Sequence, residues 1–261
     1  MIKILLFDVD GTICDSGKKI SFSMANAIIN LINLGCVIGI VGGGTFNKIL
    51  YQLDNQVIPQ FIFSECGSVY HKLNLQTAQY EQINCNNLRL EPEYMQINQL
   101  VKSCLKYISN VDYLISGNFI DLRNGLIYVS LVGMSATDEE RIDFINLDKI
   151  HNYRKELIDT LKIQALELGI KDKIDICLGG SVGIAIYPTK WNKVQVLNWI
   201  NYTEYDTIYY FGDKYLPDGN DYELINHPNV VGYCIDNLEQ TKTILENLYY
   251  ELKKIEMDLY L

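Results

Sequence analysis

Two carboxylates one residue apart, Asp8 and Asp10, close a short apolar run in the segment Asp8-Val9-Asp10-Gly11-Thr12. Alternate residues of a strand point to one side, so both carboxylates leave the strand end on the same face. One such group can act as a nucleophile and carry a phosphoryl group. The other can serve as general acid and base for the leaving and entering oxygens. Anions meeting a phosphate repel it, and a hard divalent cation such as Mg2+ offsets that repulsion. Asp213 and the pair Asn220-Asp221 offer further oxygen ligands in a late loop. On its own, Asp-x-Asp-Gly reads better as a solvated turn after a strand. An EF-hand is excluded, because the glycine falls at the fourth place instead of the sixth and no helix precedes it. The reading as a site rests on a set: Asp8, Asp10, Gly42-Gly43-Gly44-Thr45, Lys193, and the stretch from Asp213 to Asp221.

These residues need elements to bring them together. Residues 2–7 and 36–41 are continuous apolar runs, the pattern of parallel strands buried on both faces. The first is followed by a helical stretch at 21–34, which stops at Gly35. The second ends at Gly42-Gly43-Gly44, and a helix is expected over 45–53. A third strand is expected at 61–63. Strand, helix, strand, helix, strand implies βαβ units and a parallel sheet. The set would then converge on one sheet edge, beyond the carboxyl ends of the strands. Gly43, Gly44 and Thr45 would meet a phosphate at a helix N-terminus. The middle of the chain differs. Two alternating runs, 118–125 and 126–132, meet at Asn124-Gly125, a hairpin signal whose turn residues must accept positive φ. A long helical stretch opens at Thr137 with Glu140 three residues on, a capping box. Strands are expected at 174–178 and 182–187. The chain then returns to its first style, with a helix at 193–200 and strands at 207–211 and 230–235. The expected fold is α/β: a Rossmann-like parallel core, 1–82 and 189–261, with an inserted α+β antiparallel cap, 83–188.

Composition narrows the partners. Of 261 residues, 48% are hydrophobic and 21% charged, enough to bury a core without disulfide staples. The net charge of −10 disfavours nucleic acid and anionic membranes. The seven cysteines form no C-x-x-C pair, which fits reduced thiols better than a disulfide framework or a zinc site. The first apolar run is too short for a signal sequence, and no stretch reaches the ~18 apolar residues of a membrane span. The expectation is a cytoplasmic protein. Taken singly, other candidates read blandly. Arg123 precedes a hairpin turn, Arg141 neighbours Glu139 and Glu140, and Lys193 opens a helix. Each would pass for a surface group.

The motifs together resemble the haloacid dehalogenase superfamily: Asp8-Val9-Asp10-Gly11-Thr12, then Lys193, then Gly212-Asp213 with Asp221. Within it the chain is similar to the eukaryotic-type phosphomannomutases. The similarity is carried by Phe119-Ile120-Asp121-Leu122-Arg123-Asn124-Gly125, Glu139-Glu140-Arg141-Ile142, Tyr187-Pro188-x2-Trp191-x-Lys193 and Phe211-Gly212-Asp213-Lys214-x2-Pro217-x-Gly219-Asn220-Asp221. The resemblance implies interconversion of mannose 6-phosphate and mannose 1-phosphate. It implies that Asp8 carries the phosphoryl group and that Asp10 shuttles the proton. Asp8, the Asp10 carbonyl and Asp213 would hold Mg2+, with Asp221 in the same motif. Lys193 would neutralise charge around Asp8, and Arg123 and Arg141 would grip the distal phosphate. A hexose 1,6-bisphosphate activator, small sugar phosphates as partners and a homodimer formed through the cap are implied in the same way.

Departures from that pattern fall on the substrate side. Gly17 stands where the family has an arginine, and Gly133-Met134-Ser135 replaces its Gly-Arg-Ser. Gly183-Ile184-Ala185 replaces its Ser-Phe-Asp, Gly44 replaces a serine, and His227 an aspartate. Losing two arginine–phosphate contacts costs about 3–6 kcal/mol, roughly 10²–10⁴ in affinity. Lys18, placed in the substrate-binding set, would compensate in part, as would Lys19 or Lys190; a lysine lacks the planar fork of arginine. Altered sugar preference, a sugar-phosphate phosphatase on the same core, and a catalytically silent binding protein are the readings these departures open.

Overall fold

The computed structural model describes residues 2–201 and 203–259. Strands β1 (Lys3–Phe7), β2 (Val37–Val41) and β3 (Phe61–Ser64) alternate with helices α1 (Phe22–Asn33) and α2 (Phe46–Leu53). All three strands are parallel. A strand has two faces, and both are covered here: Leu5 and Phe7 pack into one apolar cluster, Ile4 and Leu6 into another. That is why the runs read as unbroken apolar segments. Ser21 caps α1 by accepting a hydrogen bond from the Met24 N–H, and Gly35 follows the helix at φ +82°.

Next comes a hairpin that its polar alternation hid from the sequence. Strands β4 (Val69–Asn74) and β5 (Gln79–Cys85) add to the edge of the parallel sheet in antiparallel fashion. Helix α3 (Tyr94–Ile108) then leads into the second sheet, with β6 (Ile120–Leu122) and β7 (Ile127–Ser130). The hairpin at Asn124-Gly125 is present, closed by Arg123 N–H donating to the Leu126 carbonyl at 2.9 Å. The reason differs from the expected one, since neither turn residue has positive φ. Glycine is required at 125 by close approach instead: a Cβ there would lie 2.0 Å from Cβ of Ser68.

The helical stretch opening at Thr137 is two helices, α4 (Asp138–His151) and α5 (Tyr153–Glu167), broken at Asn152 in the left-handed region, φ +57°. The Thr137–Glu140 capping box is formed in full. Strands β8 (Ile174–Gly179) and β9 (Gly183–Pro188) complete a four-stranded antiparallel sheet of order β6-β7-β9-β8. Period two divides its faces. Ile127, Val129, Ile184 and Ile186 pack with residues of the three helices, whereas Tyr128, Cys177, Ala185 and Tyr187 cluster with Cys66 of the first sheet's loops.

Lys193–Trp199 is a 3-10 helix capped by Asn192. It returns the chain to β10 (Thr207–Gly212), the short α6 (Tyr222–Ile225), β11 (Val231–Cys234) and α7 (Leu238–Leu259). The seven-stranded sheet has the order β11-β10-β1-β2-β3-β4-β5, and β1 is flanked by β10 and β2. The loops leaving β1, β2 and β10 therefore open at one edge, beside one another. No helix among the described residues is long and apolar enough to cross a membrane.

Candidate active site

Asp8 stands one residue past β1, Gly42 one past β2 and Asp213 one past β10, so neighbouring strands deliver them to the same edge. Beneath them Lys193 is fully buried. Its ammonium donates to Oδ1 of Asp8 at 2.6 Å, to Oδ1 of Asp221 at 2.6 Å and to the hydroxyl of Tyr210 at 3.2 Å. Three N–H donors meet three oxygens, which is the whole capacity of a lysine. The Tyr210 hydroxyl in turn donates to Asp221, whose Oδ2 accepts the Lys214 N–H at 2.9 Å.

Electrostatics follow from burial and count. Removal from water raises the Asp8 carboxyl, Lys193 opposes that, and Asp221 and Asp213 raise it again; the result is about 7. For Lys193, burial works against the charge, but Asp221 and Asp8 outweigh it and hold the ammonium protonated. Asp10 behaves differently. Burial works to raise it, but Lys48 Nζ at 2.6 Å, the Gly17 N–H at 2.9 Å and Gln52 Nε2 at 2.7 Å bring it below the usual carboxylate range. Lys48 and Gln52 are one helical turn apart on α2, so both reach the same carboxylate.

Oxygens of Asp8, Asp213 and Asp221 all lie within 4.8 Å of one another. Oδ1 of Asp213 is buried and has no hydrogen-bond partner, while its Oδ2 accepts from Lys214 Nζ. Burial, with Asp221 nearby and against the pull of Lys214, raises the Asp213 carboxyl. An orphaned carboxylate oxygen among hard oxygen donors is the chemistry that suits Mg2+. The carboxylate of Asp10 is turned away to Lys48 and Gln52 and is not one of this cluster.

A cavity of about 670 Å³ lies over these groups, between the two sheets. Asp8, Asp10, Asp213, Gly43, Gly44, Lys18, Arg123 and Arg141 all border it, whereas Lys193 and Asp221 lie buried below. Thr45 does not border it; its hydroxyl caps α2 by accepting the Lys48 N–H at 3.4 Å. Arg123 crosses from the second sheet to the first: one terminal nitrogen donates to the Gly43 carbonyl at 2.6 Å, and Nε to Asp121 at 2.7 Å. Arg141 donates to the carbonyls of Ala136 and Met134, both at 3.1 Å. Lys18 pairs with Asp138 of α4 at the exposed rim. Lys162 Nζ on α5 reaches Asp218, in the loop between Asp213 and Asp221, at 2.9 Å.

Sequence reasoning missed four residues. Lys48 and Gln52 carried a usable signal, their i, i+4 spacing just after the glycine turn. Tyr210 was hidden in an aromatic strand, where a core residue is the ordinary reading. Glu65 gave no signal. It is buried, sits at φ +52°, and accepts the Gly125 N–H at 2.8 Å, so it pins the hairpin bearing Arg123 to the first sheet.

A parallel sheet with a lysine-bound aspartate past its central strand, roofed by an inserted antiparallel sheet, defines an α/β protein of the haloacid dehalogenase type. Solved structures share the fold at low identity. IMP-bound Plasmodium falciparum IMP-nucleotidase has a TM-score of 0.67 at 15% identity, covering 95% of this chain and 68% of that one. The C-terminal domain of C. albicans trehalose-6-phosphate phosphatase has a TM-score of 0.58 at 15% identity, covering 95% and 92%. The chain belongs to the eukaryotic phosphomannomutase family, whose model matches residues 24–251. Phosphomannomutase of Saccharomyces cerevisiae is 32% identical over 249 residues, 94% of each chain. Phosphomannomutase 1 of Homo sapiens is 32% identical over 256 residues, 95% of this chain and 92% of that one.

Proposed function

We propose that this chain interconverts mannose 6-phosphate and mannose 1-phosphate through a phosphoryl group carried by Asp8. The observation that supports this most directly is the Lys193 ammonium 2.6 Å from Oδ1 of Asp8, inside a buried cluster with Asp213 and Asp221. Its relatives in yeast and human are phosphomannomutases by name.

In the proposed reaction, an oxygen of Asp8 attacks the substrate phosphorus and the bond from phosphorus to the sugar oxygen breaks. Asp10, kept ionised by Lys48, Gly17 and Gln52, takes the proton of the entering hydroxyl and returns it to the leaving sugar oxygen in the other half of the cycle. Lys193 keeps Asp8 fixed and offsets charge as the phosphoryl group arrives. Asp8, the Asp10 carbonyl and Asp213, with Asp221 behind them, would hold Mg2+, which would offset the charge of the phosphoryl oxygens. Gly43 and Gly44 present backbone to the transferring phosphate, and Arg123, Arg141 and Lys18 hold the distal one. Residues 83–188 act as the cap over a core made of 1–82 and 189–261, except that 83–85 complete β5 of the core sheet. A homodimer through the cap and a cytoplasmic location complete the reading.

A second reading, a sugar-phosphate phosphatase, is favoured by the rim. A Cβ at Gly17 would meet nothing within 4 Å, so this side of the cavity offers water a path. Purified protein is given Mg2+, mannose 1-phosphate and a hexose 1,6-bisphosphate activator, and both mannose 6-phosphate and inorganic phosphate are measured. Mannose 6-phosphate formation without matching phosphate release supports the mutase. Phosphate release outpacing isomer formation replaces it with the phosphatase, and no turnover in either channel leaves a binding protein.

A further inference from the structure

The antiparallel sheet turns a nearly featureless wall toward the cavity. Three residues of its strands border the space: Tyr128 on β7, Gly179 on β8 and Ala185 on β9. Of these, Tyr128 alone has a polar side chain. Tyr128 pairs across the strands with Ala185, and Ser130 pairs with Gly183, so all four share the face directed at the parallel sheet.

The small residues on β9 are there to admit the tyrosine ring. A Cβ built at Gly183 would fall 2.6 Å from both Cζ and the hydroxyl oxygen of Tyr128. The phenol thus lies across the backbone of β9, in space that any side chain at 183 would fill. Arg123 packs on the ring, its guanidinium carbon 5.0 Å from the ring centroid. Arg123 is the same residue that reaches the Gly43 carbonyl. No described residue hydrogen-bonds the Tyr128 hydroxyl. Tyr128 and Gly180 both border the cavity, and a Cβ at Gly180 would lie 3.6 Å from the Tyr128 hydroxyl, so this unpartnered polar group is placed for a ligand.

We propose that Tyr128 is a substrate-binding residue that contacts the sugar. Its hydroxyl hydrogen-bonds a ring hydroxyl of the hexose phosphate, and its ring fixes Arg123 for the distal phosphate. This rests on the hexose-phosphate reading of the same site. A substrate with no hydroxyl to offer gains nothing from the phenol, and that difference is measurable.

The experiment compares kcat and KM of the wild type, Tyr128→Phe and Tyr128→Leu on mannose 1-phosphate and on acetyl phosphate, which has no hydroxyl group. Thermal melting of each variant checks that it folds. Tyr128→Phe removes one neutral hydrogen bond, so kcat/KM on mannose 1-phosphate falls roughly three- to tenfold more than on acetyl phosphate, chiefly through KM. Tyr128→Leu also removes the support under Arg123 and widens the gap further. Equal losses on the two substrates, or none, overturn the assignment of Tyr128 and leave the hexose-phosphate reading intact. A wild type that consumes acetyl phosphate and no hexose phosphate overturns both.

Discussion

The ammonium of Lys193 stands 2.6 Å from Oδ1 of Asp221, as close as it stands to Asp8, and all three groups are buried. One cation thus joins the residue after β1 to the end of the loop after β10, although 213 positions separate Asp8 from Asp221 in the chain (221 − 8 = 213). The network is both a structural clamp and the floor of the site, and the consequences can be separated by substitution.

Lys193→Met keeps most of the apolar stem of the side chain and removes its charge. Asp8 and Asp221 then face one another without a counter-ion, which costs about 3–5 kcal/mol near neutral pH. The loss shrinks toward pH 5, because the folded variant can protonate one carboxylate and so relieve the repulsion. Urea melts of wild type and variant at pH 5 and pH 8 check both the size and the direction. A loss that is the same at both pH values argues against an uncompensated carboxylate pair.

Tyr210→Phe leaves one Lys193 N–H without its third acceptor and takes a donor from Asp221. Both groups are fully buried, so the expected loss is about 1–3 kcal/mol. The effect depends on the lysine. In the Lys193→Met background, the same change at Tyr210 costs less than half as much, because one of its partners is already gone. Additive losses in the double variant would show that the hydroxyl acts elsewhere.

The Asp8 carboxyl is raised from 3.8 to about 7 by burial, with Asp221 and Asp213 adding to it. Between about pH 4 and pH 7 the unfolded chain has lost this proton while the folded chain keeps it. The unfolded state binds fewer protons there, so the Asp8 contribution to stability falls as pH rises through that window. Asp8→Asn has no proton to lose. Relative to that variant, the wild type in a chelating buffer becomes less stable from pH 4.5 to pH 7.5, as thermal melts will record. Added Mg2+ reduces the decline, since it binds the ionised cluster in the folded state alone.

Gly125→Ala places a Cβ 2.0 Å from Cβ of Ser68 and 2.2 Å from its hydroxyl. The Gly125 N–H that binds Glu65 is pushed away with it, and with that the hairpin carrying Arg123. Overpacking of this kind costs about 1–3 kcal/mol. Ser68→Gly in the same chain removes the contacting atoms and recovers most of the loss in a denaturation series. If it recovers nothing, steric contact with Ser68 is not the reason for glycine at 125.

The parallel core was legible because buried parallel strands are written as unbroken apolar runs. Residues 2–7, 36–41 and 207–211 need no partner to be recognised. The β4–β5 hairpin was not legible, since Gln79, Glu81, Gln82 and Asn84 make four of the seven residues of β5 polar and the strand lies at the sheet edge, largely exposed. The division of 138–167 into two helices was equally hidden. It turns on Asn152 entering the left-handed region, which asparagine tolerates without announcing it.

For the site, the sequence by itself determined which groups can do chemistry: Asp8 and Asp10 on one face of a strand end, a glycine turn before a helix, and Asp213 after a late strand. Those are local facts, set by the period of a strand and the position of a loop. The tertiary structure decided what each group faces. It put Asp8 on Lys193, turned Asp10 to Lys48 and Gln52, made Tyr210 the third acceptor of the lysine, and laid Tyr128 over Gly183 on the cavity wall. Side-chain contacts across 185 or 55 positions of chain arise from sheet order and strand register, which no local spacing encodes.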